Sequence, residues 1–280
     1  MSVATHASDI TIAVSYGPSP GAIAGFGTPI HITPVANTPG FAGLSEEFTS
    51  AAQVNTAETA GDISATLAQW LRDAFAQSPS TAKVIVAKKD DEEGYDDALQ
   101  AAVAAGLSFY VITIASRADA DIVAVSDAVA GSNRLFVFQS DDADWLSSGV
   151  PAGLSDVDDV ETTVGIWHDD DGEAADLCWA SSRLAYDPDT QSAAWTGTVR
   201  NVAEYDALTS SQRTFALANN INLGLRKASS AFFVSRGVNM NGRPVDHVLT
   251  GHWLEARWRE SIERLQVATA DRGDKLVVDP

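Results

Sequence analysis

Short apolar runs alternate with helical periodicities along the first two thirds of the chain. Five runs are predicted as strands, four of them apolar on both faces as in a buried parallel sheet: 28–35, 83–87, 109–114, 134–138 and 163–167. Apolar residues at three- and four-residue spacing, or Ala-rich composition, predict helices between and after them: 56–77, a helix ending near 105, 119–130 and 173–186. Strands separated by helices predict an α/β fold, with a mainly parallel sheet covered on both sides.

The pattern changes beyond Pro188. A helix at 208–218 is followed by two strands close in sequence, 221–227 and 231–235, and then by a long amphipathic helix at 247–268. The spacing places five apolar side chains of that helix on one stripe: Trp253, Leu254, Trp258, Ile262 and Leu265. This mixture predicts an α+β region after the α/β region.

Both ends of the chain contain strand-like segments that have no obvious partner in the predicted core. Near the start, polar and apolar residues alternate through Asp9, Ile10, Thr11, Ile12, Ala13, Val14, Ser15 and Tyr16, and a Gly/Pro break follows. At the end the segment is Lys275, Leu276, Val277, Val278 and Asp279. Such strands either pair within their own subunit or add to the sheet of another chain. We therefore divide the chain into an N-terminal extended arm (1–22), an acidic α/β region (23–189), a C-terminal core region (190–268) and a C-terminal extended arm (269–280).

Composition limits the partners of this protein. The 280 residues carry 18 basic and 38 acidic side chains, a formal net charge of −20, which argues against nucleic acid or anionic lipid as the main partner. Asp dominates the acidic residues (27) and Lys is scarce (5), which fits either a protein kept soluble at high salt or a GC-rich genome. No segment has the build of a signal peptide or is long enough to span a bilayer, so we expect a soluble chain made in the cytoplasm.

Charge is unevenly distributed along the chain. Residues 1–189 have a net charge of −22, and residues 190–280 have a net charge of +2. The first part therefore reads as a solvated outer surface. The last third either faces another protein or packs its arginines against its own acidic neighbour.

Sequence motifs for catalysis and cofactor binding are missing. The chain contains no dinucleotide-binding glycine pattern, no Walker A sequence, no nucleophile elbow and no zinc-binding histidine spacing. The single cysteine, Cys178, excludes an internal disulfide and a cysteine-cluster metal site, and its apolar neighbours predict a buried thiol. One acidic loop at 167–173, running from Trp167 through His168 to Glu173, follows a predicted strand. It reads as a solvated turn before the next helix, with a cation or ligand site as the alternative. We expect no cofactor and no catalytic residue.

The stretch from Ser230 to Val267, with two shorter segments before it, resembles the C-terminal part of contractile tail sheath proteins of phages and related viruses. The resemblance is carried by a strand, a Gly-x-x-x-x-Gly turn and an Asp before a helix that opens with Trp-Leu, by a tryptophan-containing link upstream, and by an asparagine after the next helix. The residues concerned are Trp195, Gly197, Asn222, Gly237, Gly242, Asp246, Trp253 and Leu254.

The resemblance implies a structural sheath subunit of short form, not an enzyme. Copies would polymerise as stacked hexamers around an inner tail tube protein, joined by the two arms and ending at baseplate and tail-terminator proteins. Contraction would drive the tube through the target cell envelope, with the protein located in the virion tail or in a headless injection machine. We expect Arg257, Arg259 and Arg264 of the long helix to face the tube. The alternative, an α/β enzyme or ligand-binding domain, would use the acidic loop.

Overall fold

The computed structural model describes residues 25–147, 156–186, 194–204, 208–227 and 230–271, with backbone only at 227, 230–231 and 266–271. The predicted arm strands, Asp9–Tyr16 and Lys275–Asp279, lie outside these residues.

Nine strands of the described chain form one mixed sheet. They are β1 (Pro29–Pro34), β2 (Ser45–Phe48), β3 (Val84–Lys89), β4 (Val111–Ile114), β5 (Leu135–Ser140), β6 (Thr163–Trp167), β7 (Gly197–Thr198), β8 (Asn222–Lys227) and β9 (Ser230–Val234). Their order is β2-β3-β1-β4-β5-β6-β8-β9-β7. The strands from β3 to β8 in this order pair in parallel, whereas β2, β9 and β7 pair antiparallel with their neighbours. The predicted fold class, a mainly parallel sheet followed by an α+β region, is confirmed.

Seven α-helices flank the sheet in the described ranges. They are α1 (Ala51–Ala60), α2 (Ala65–Phe75), α3 (Tyr95–Ala104), α4 (Asp119–Val129), α5 (Ala175–Arg183), α6 (Ser210–Ala218) and α7 (Val245–Asp271). The prediction of one helix over 56–77 is wrong. Gly61 ends α1 in the left-handed conformation at φ 81°, and the Ser64 hydroxyl accepts a hydrogen bond from the Leu67 amide to begin α2.

Successive side chains of each strand point to opposite faces of the sheet and build a core on each side. Ile30, Ile112 and Phe136 pack with α3, α4 and α6 on one face. The other face packs against α1, α2, α5 and the first turns of α7. Cys178 of α5 is buried there, as predicted, and burial raises the pKa of its thiol well above its usual value.

The connections place a topological switch point between β1 and β4. From β1 the chain adds β3 on one side, and it then crosses to add β4, β5 and β6 on the other side. The carboxyl ends of the strands at such a point are where open α/β sheets bind ligands. Any ligand-binding activity of this sheet would be expected there.

Candidate functional site

The crevice at the switch point is filled by an internal ion pair. Arg117, three residues after β4, places Nη1 3.0 Å from Oδ2 of Asp176 on α5, with side chains 7% and 0% exposed. The same guanidinium donates hydrogen bonds to the carbonyl oxygens of Ile114 (3.1 Å) and Glu173 (3.0 Å). Burial raises the pKa of the Asp176 carboxyl, and the neighbouring Arg117 opposes that rise. The chain's own residues therefore occupy the position where a ligand would bind.

His31 lies beside this ion pair in the middle of β1. Its Nδ1 is 2.9 Å from the Thr113 hydroxyl of β4, and the Trp70 ring meets its imidazole edge-on at 5.5 Å. The side chain is fully buried. Burial, and to a smaller extent Arg117, lowers the pKa of His31 from 6.5 to about 3. A general base must come within hydrogen-bond reach of a substrate proton. The imidazole of His31 is enclosed by the protein and does not have that access.

The acidic loop at 167–173 turns its backbone carbonyl groups inward. The Gly172 carbonyl accepts a hydrogen bond from Trp70 Nε1 at 2.6 Å, and the Asp170 carbonyl accepts one from Gln139 Nε2 at 2.9 Å. The Glu173 carbonyl accepts the bond from Arg117 described above. These oxygens tie the loop to α2, β5 and the segment after β4, and are engaged in holding it in place.

The side chains of the loop also make local contacts. Asp170 Oδ1 accepts from the Gly172 amide at 2.8 Å, which is a tight aspartate turn. His168 Nδ1 accepts from the Asp170 amide at 3.1 Å, which leaves Nε2–H to donate to the Ala203 carbonyl at 3.0 Å. Among the residues whose placement is described, no three His, Cys, Asp or Glu side chains converge to hold a metal ion. The geometry supports the interpretation of a structural turn.

Five of the eight residues that carry the sheath resemblance lie around β6, β7, β8 and β9: Trp195, Gly197, Asn222, Gly237 and Gly242. Trp195 is buried with its ring edge-to-face on Trp179, at a centroid distance of 5.3 Å. Gly237 has φ 65°, and a Cβ atom there would lie 2.6 Å from the carbonyl carbon of Trp195. At Gly197 a Cβ atom would lie 2.8 Å from a guanidinium nitrogen of Arg183. At Gly237 the backbone of Trp195 leaves no room for a side chain, and at Gly197 the φ of 135° disfavours one.

Asn222 holds the Gly237–Gly242 turn on the sheet. Its Nδ2 donates to the carbonyls of Gly165 (2.9 Å) and Val238 (2.7 Å), and its Oδ1 accepts from the Val238 amide (3.1 Å). Gly242, at φ 80°, closes the turn next to Asn220. These motif residues specify the fold and present no reactive group to solvent.

The remaining motif residues lie on α7. Asp246 is in its first turn and Trp253 is half-buried, with the Arg257 guanidinium 5.3 Å from its ring centroid. Leu254 is 46% exposed. Consecutive helix residues point about 100° apart, so Trp253 and Leu254 do not share one narrow stripe as the sequence spacing predicted.

α7 has an inner apolar face and an outer one. Val245, Val248, Leu249 and Ala256 are buried against the sheet. On the other side, four large apolar side chains are exposed by 39–56%, and at about 100° per residue they fall within an arc of about 80°. We call them the outer stripe: Leu254, Trp258, Ile262 and Leu265.

The three arginines expected to face a tube are engaged within α7. Arg257 Nη1 lies 2.8 Å from Glu260 Oε2, and Arg264 Nη2 lies 4.0 Å from the same oxygen. Arg259 pairs with Glu255 one turn earlier. The flanks of the outer stripe therefore carry alternating, paired charges instead of a basic patch.

The sequence did not predict the buried polar groups of the switch point, Arg117, Asp176, His31 and Gln139. Arg117 and Asp176 are 59 positions apart, and neither belongs to a recognised motif. The one signal was the general rule that polar residues following parallel strands meet at one edge of the sheet.

No protein family and no curated protein matches the sequence. Chains of several solved structures share the fold, among them the following two. A chain of the cryo-EM structure of the anti-feeding prophage (AFP) baseplate, 6-fold symmetrised, aligns with 93% of this chain and 77% of its own length, at 16% identity and a TM-score of 0.59. A chain of the AFP helical sheath in its contracted state aligns with 98% of this chain and 78% of its own length, at 14% identity and a TM-score of 0.57. The sheath-like fold implied by the sequence resemblance is confirmed.

Proposed function

We propose that this protein is a non-catalytic structural subunit of a contractile injection machine, and that it forms the sheath. The observation that carries the proposal is the shared fold over 98% of the chain with a contracted AFP sheath. The internal ion pair at the switch point is consistent with it, because it fills the position where an α/β enzyme would bind its substrate. No helix in the described part of the chain has the length and apolarity needed to cross a membrane.

In the proposed assembly, copies stack as hexamers, or as a six-start helix, around a tail tube. The strands Asp9–Tyr16 and Lys275–Asp279 add to the sheets of neighbouring subunits and link the rings. Contraction is a rigid-body shift between subunits, driven by better burial in the contracted lattice, while the arms keep the rings connected.

The two ends of the sheet favour different roles in this linkage. At the β2 end, Glu46 and Glu47 place charge on the edge strand, and Gln53 Nε2 donates to the Glu47 carbonyl at 3.0 Å. Charged side chains and covered carbonyls protect an edge from pairing. At the other end, β7 pairs with only two residues of β9, Phe233 and Val234. The Thr196 and Thr198 carbonyls at this end also accept hydrogen bonds, from Arg183 at 2.9 and 3.2 Å, so covered carbonyls occur at both ends. We assign the β7–β9 end as the edge that receives an arm because Gly197 and Thr198 carry no charge.

The partners follow from the same proposal. The tail tube protein contacts α7 through the outer stripe, flanked by Arg257, Arg259 and Arg264, and baseplate and tail-terminator proteins close the two ends of the sheath. The machine is either a virion tail that ejects a genome or a headless device, and the acidic surface suits a halophilic host.

The test is electron microscopy of the purified full-length protein in molar salt. Hollow tubes are the expected result, and uniform small particles at every salt concentration would overturn the proposal. A variant lacking residues 1–16 should lose the tubes. Ile12→Pro should weaken them at full chain length because proline removes a strand hydrogen bond, whereas Ile12→Val should not. Tubes from all variants would support the sheath proposal and contradict the linking role of the N-terminal arm.

A baseplate component is the second candidate, because a chain of the six-fold symmetrised AFP baseplate also has this fold. A baseplate subunit should form rings or small complexes of fixed size, whereas a sheath subunit should give tubes whose length grows with protein concentration. The same micrographs therefore separate the two candidates.

A further inference from the structure

The buried side chains of α7, among residues 245–265 whose side chains are described, all lie in its first three turns. Its buried side chains end at Ala256, and Asn133, just before β5, donates to Glu255 Oε2 at 3.0 Å. From Trp258 onward the large apolar side chains of α7 are exposed. Contacts near residues 245–256 therefore hold the first half of the helix on the subunit.

Tyr110, immediately before β4, makes one of these contacts. Its side chain is 2% exposed, and its hydroxyl lies 3.0 Å from Nδ1 of His252 on α7. Burial raises the pKa of Tyr110 well above 10. Burial also lowers the pKa of His252, against the opposing effects of Glu255 and Glu161. Both groups are therefore neutral near pH 7, and the hydroxyl and Nδ1 share one hydrogen bond whose direction is set by the imidazole tautomer.

The Tyr110 ring is also stacked on Phe26. The two ring centroids are 4.5 Å apart and the planes are inclined by 24°. Around them the chain is tightly bound: the Gly25 carbonyl accepts from the Thr28 amide at 2.8 Å, and the Thr28 carbonyl accepts from the Tyr110 amide at 3.0 Å. A Cβ atom at Gly25 would lie 3.0 Å from the Phe109 amide nitrogen. The first described residues, Gly25 and Phe26, are thus fixed to the same tyrosine that contacts α7.

We propose that Tyr110 is a positioning residue that couples the segment entering the core at Gly25–Phe26 to α7. The consequence for assembly rests on the proposed function: a load on the N-terminal arm would reach the tube-facing helix through Phe26, Tyr110 and His252. Arm engagement and tube contact would then be linked within each subunit, without a change in the sheet.

Hydrogen–deuterium exchange of the full-length, unassembled protein tests this coupling. Phe26→Ala removes the stacked ring from a half-buried position, and Tyr110→Phe removes the hydroxyl while keeping the ring. Phe26→Ala is expected to raise the exchange of α7 amides near 249–258 by about threefold to tenfold, as loss of an aromatic pair implies. In the Tyr110→Phe background, the same change should have little further effect on α7.

The control is Phe41→Ala, which removes a buried ring that stacks on Phe48 of β2, at the opposite end of the strand order from β7. It should destabilise the protein without a selective change in α7. Unchanged α7 exchange in Phe26→Ala, or fully additive effects in the double variant, would overturn the coupling. Because the measurement needs no tube and no polymer, the coupling can stand or fail independently of the sheath proposal.

Discussion

Arg117 and Asp176 meet at 3.0 Å in a place where neither side chain reaches solvent. Breaking such a pair leaves a buried charge without compensation, which costs about 3–5 kcal/mol. We therefore expect Asp176→Asn and Arg117→Met each to lower the free energy of unfolding by that amount in urea titrations. The exposed pair Lys83–Glu47 is the control, because Lys83→Ala should cost less than about 1 kcal/mol. Equal costs at the two sites would refute a structural role for the buried pair.

Substitution of Gly237 tests whether the residues that carry the sheath resemblance stabilise the fold through close packing. Its left-handed backbone and its approach to Trp195 both disfavour a side chain. Gly131 has a similar φ of 70° but no atom within 4 Å of a Cβ position. Gly237→Ala should therefore cost at least about 2 kcal/mol more than Gly131→Ala, because overpacking adds to the backbone strain. Similar losses of thermal stability in both variants would show that the Trp195 contact is not tight.

His31 gives the stability a dependence on pH. Its pKa is about 3 in the folded protein and 6.5 in an unfolded chain, so the unfolded chain binds the proton first as the pH falls. The contribution of the neutral His31 to the free energy of unfolding is complete above pH 6.5 and is lost as the pH falls toward 3. The free energy of unfolding should fall by about 2 kcal/mol between pH 6.5 and 5 for this reason. His31→Gln should remove this part of the slope, measured as the difference between variant and wild type. Parallel pH profiles would contradict the neutral, buried state of His31.

The sequence predicted the strands and helices in which the pattern of apolar and polar residues is strong within the segment itself. The run at 163–167 is apolar on both faces and became β6, buried along its whole length. The predicted helices at 119–130 and 208–218 match α4 and α6 closely. In these segments periodicity and tertiary packing favour the same structure, so a single sequence is enough.

The errors have physical causes of two kinds. β2 was missed because Ser45-Glu46-Glu47-Phe48 is mostly polar, as suits a protected edge strand. The outward direction of the outer stripe could not be predicted because periodicity shows which side chains share a helix face, not whether the core covers that face. The Arg117–Asp176 pair joins the loop after β4 to the first turn of α5, which only the folded sheet brings together.

The acidic surface predicts that salt stabilises the protein. A net charge of −20 produces repulsion between exposed carboxylates, and added salt screens it. The free energy of unfolding should rise between 0.05 and 1 M NaCl. Neutralising the exposed Asp91, Glu92 and Glu93 to their amides should reduce this dependence, whereas neutralising the paired Glu58 should not. A flat salt profile in the wild type would favour genome composition as the origin of the aspartates.

Tube binding through the outer stripe of α7 and tube binding through the neighbouring arginines can be told apart by substitution. Trp258 is 53% exposed, so Trp258→Ser should change the free energy of unfolding by less than about 0.5 kcal/mol. If the stripe contacts the tube, the same change should weaken cosedimentation with the tail tube protein at least about tenfold, as expected for an aromatic contact at the centre of an interface. Val103→Ser on α3, where the side chain is 41% exposed, is the matched control and should leave cosedimentation unchanged.

Joint replacement of Arg257, Arg259 and Arg264 by Gln should weaken cosedimentation less than Trp258→Ser does, because each arginine already pairs with a glutamate of α7. Loss of binding in the arginine variant alone would assign the tube contact to charge and reject the apolar stripe.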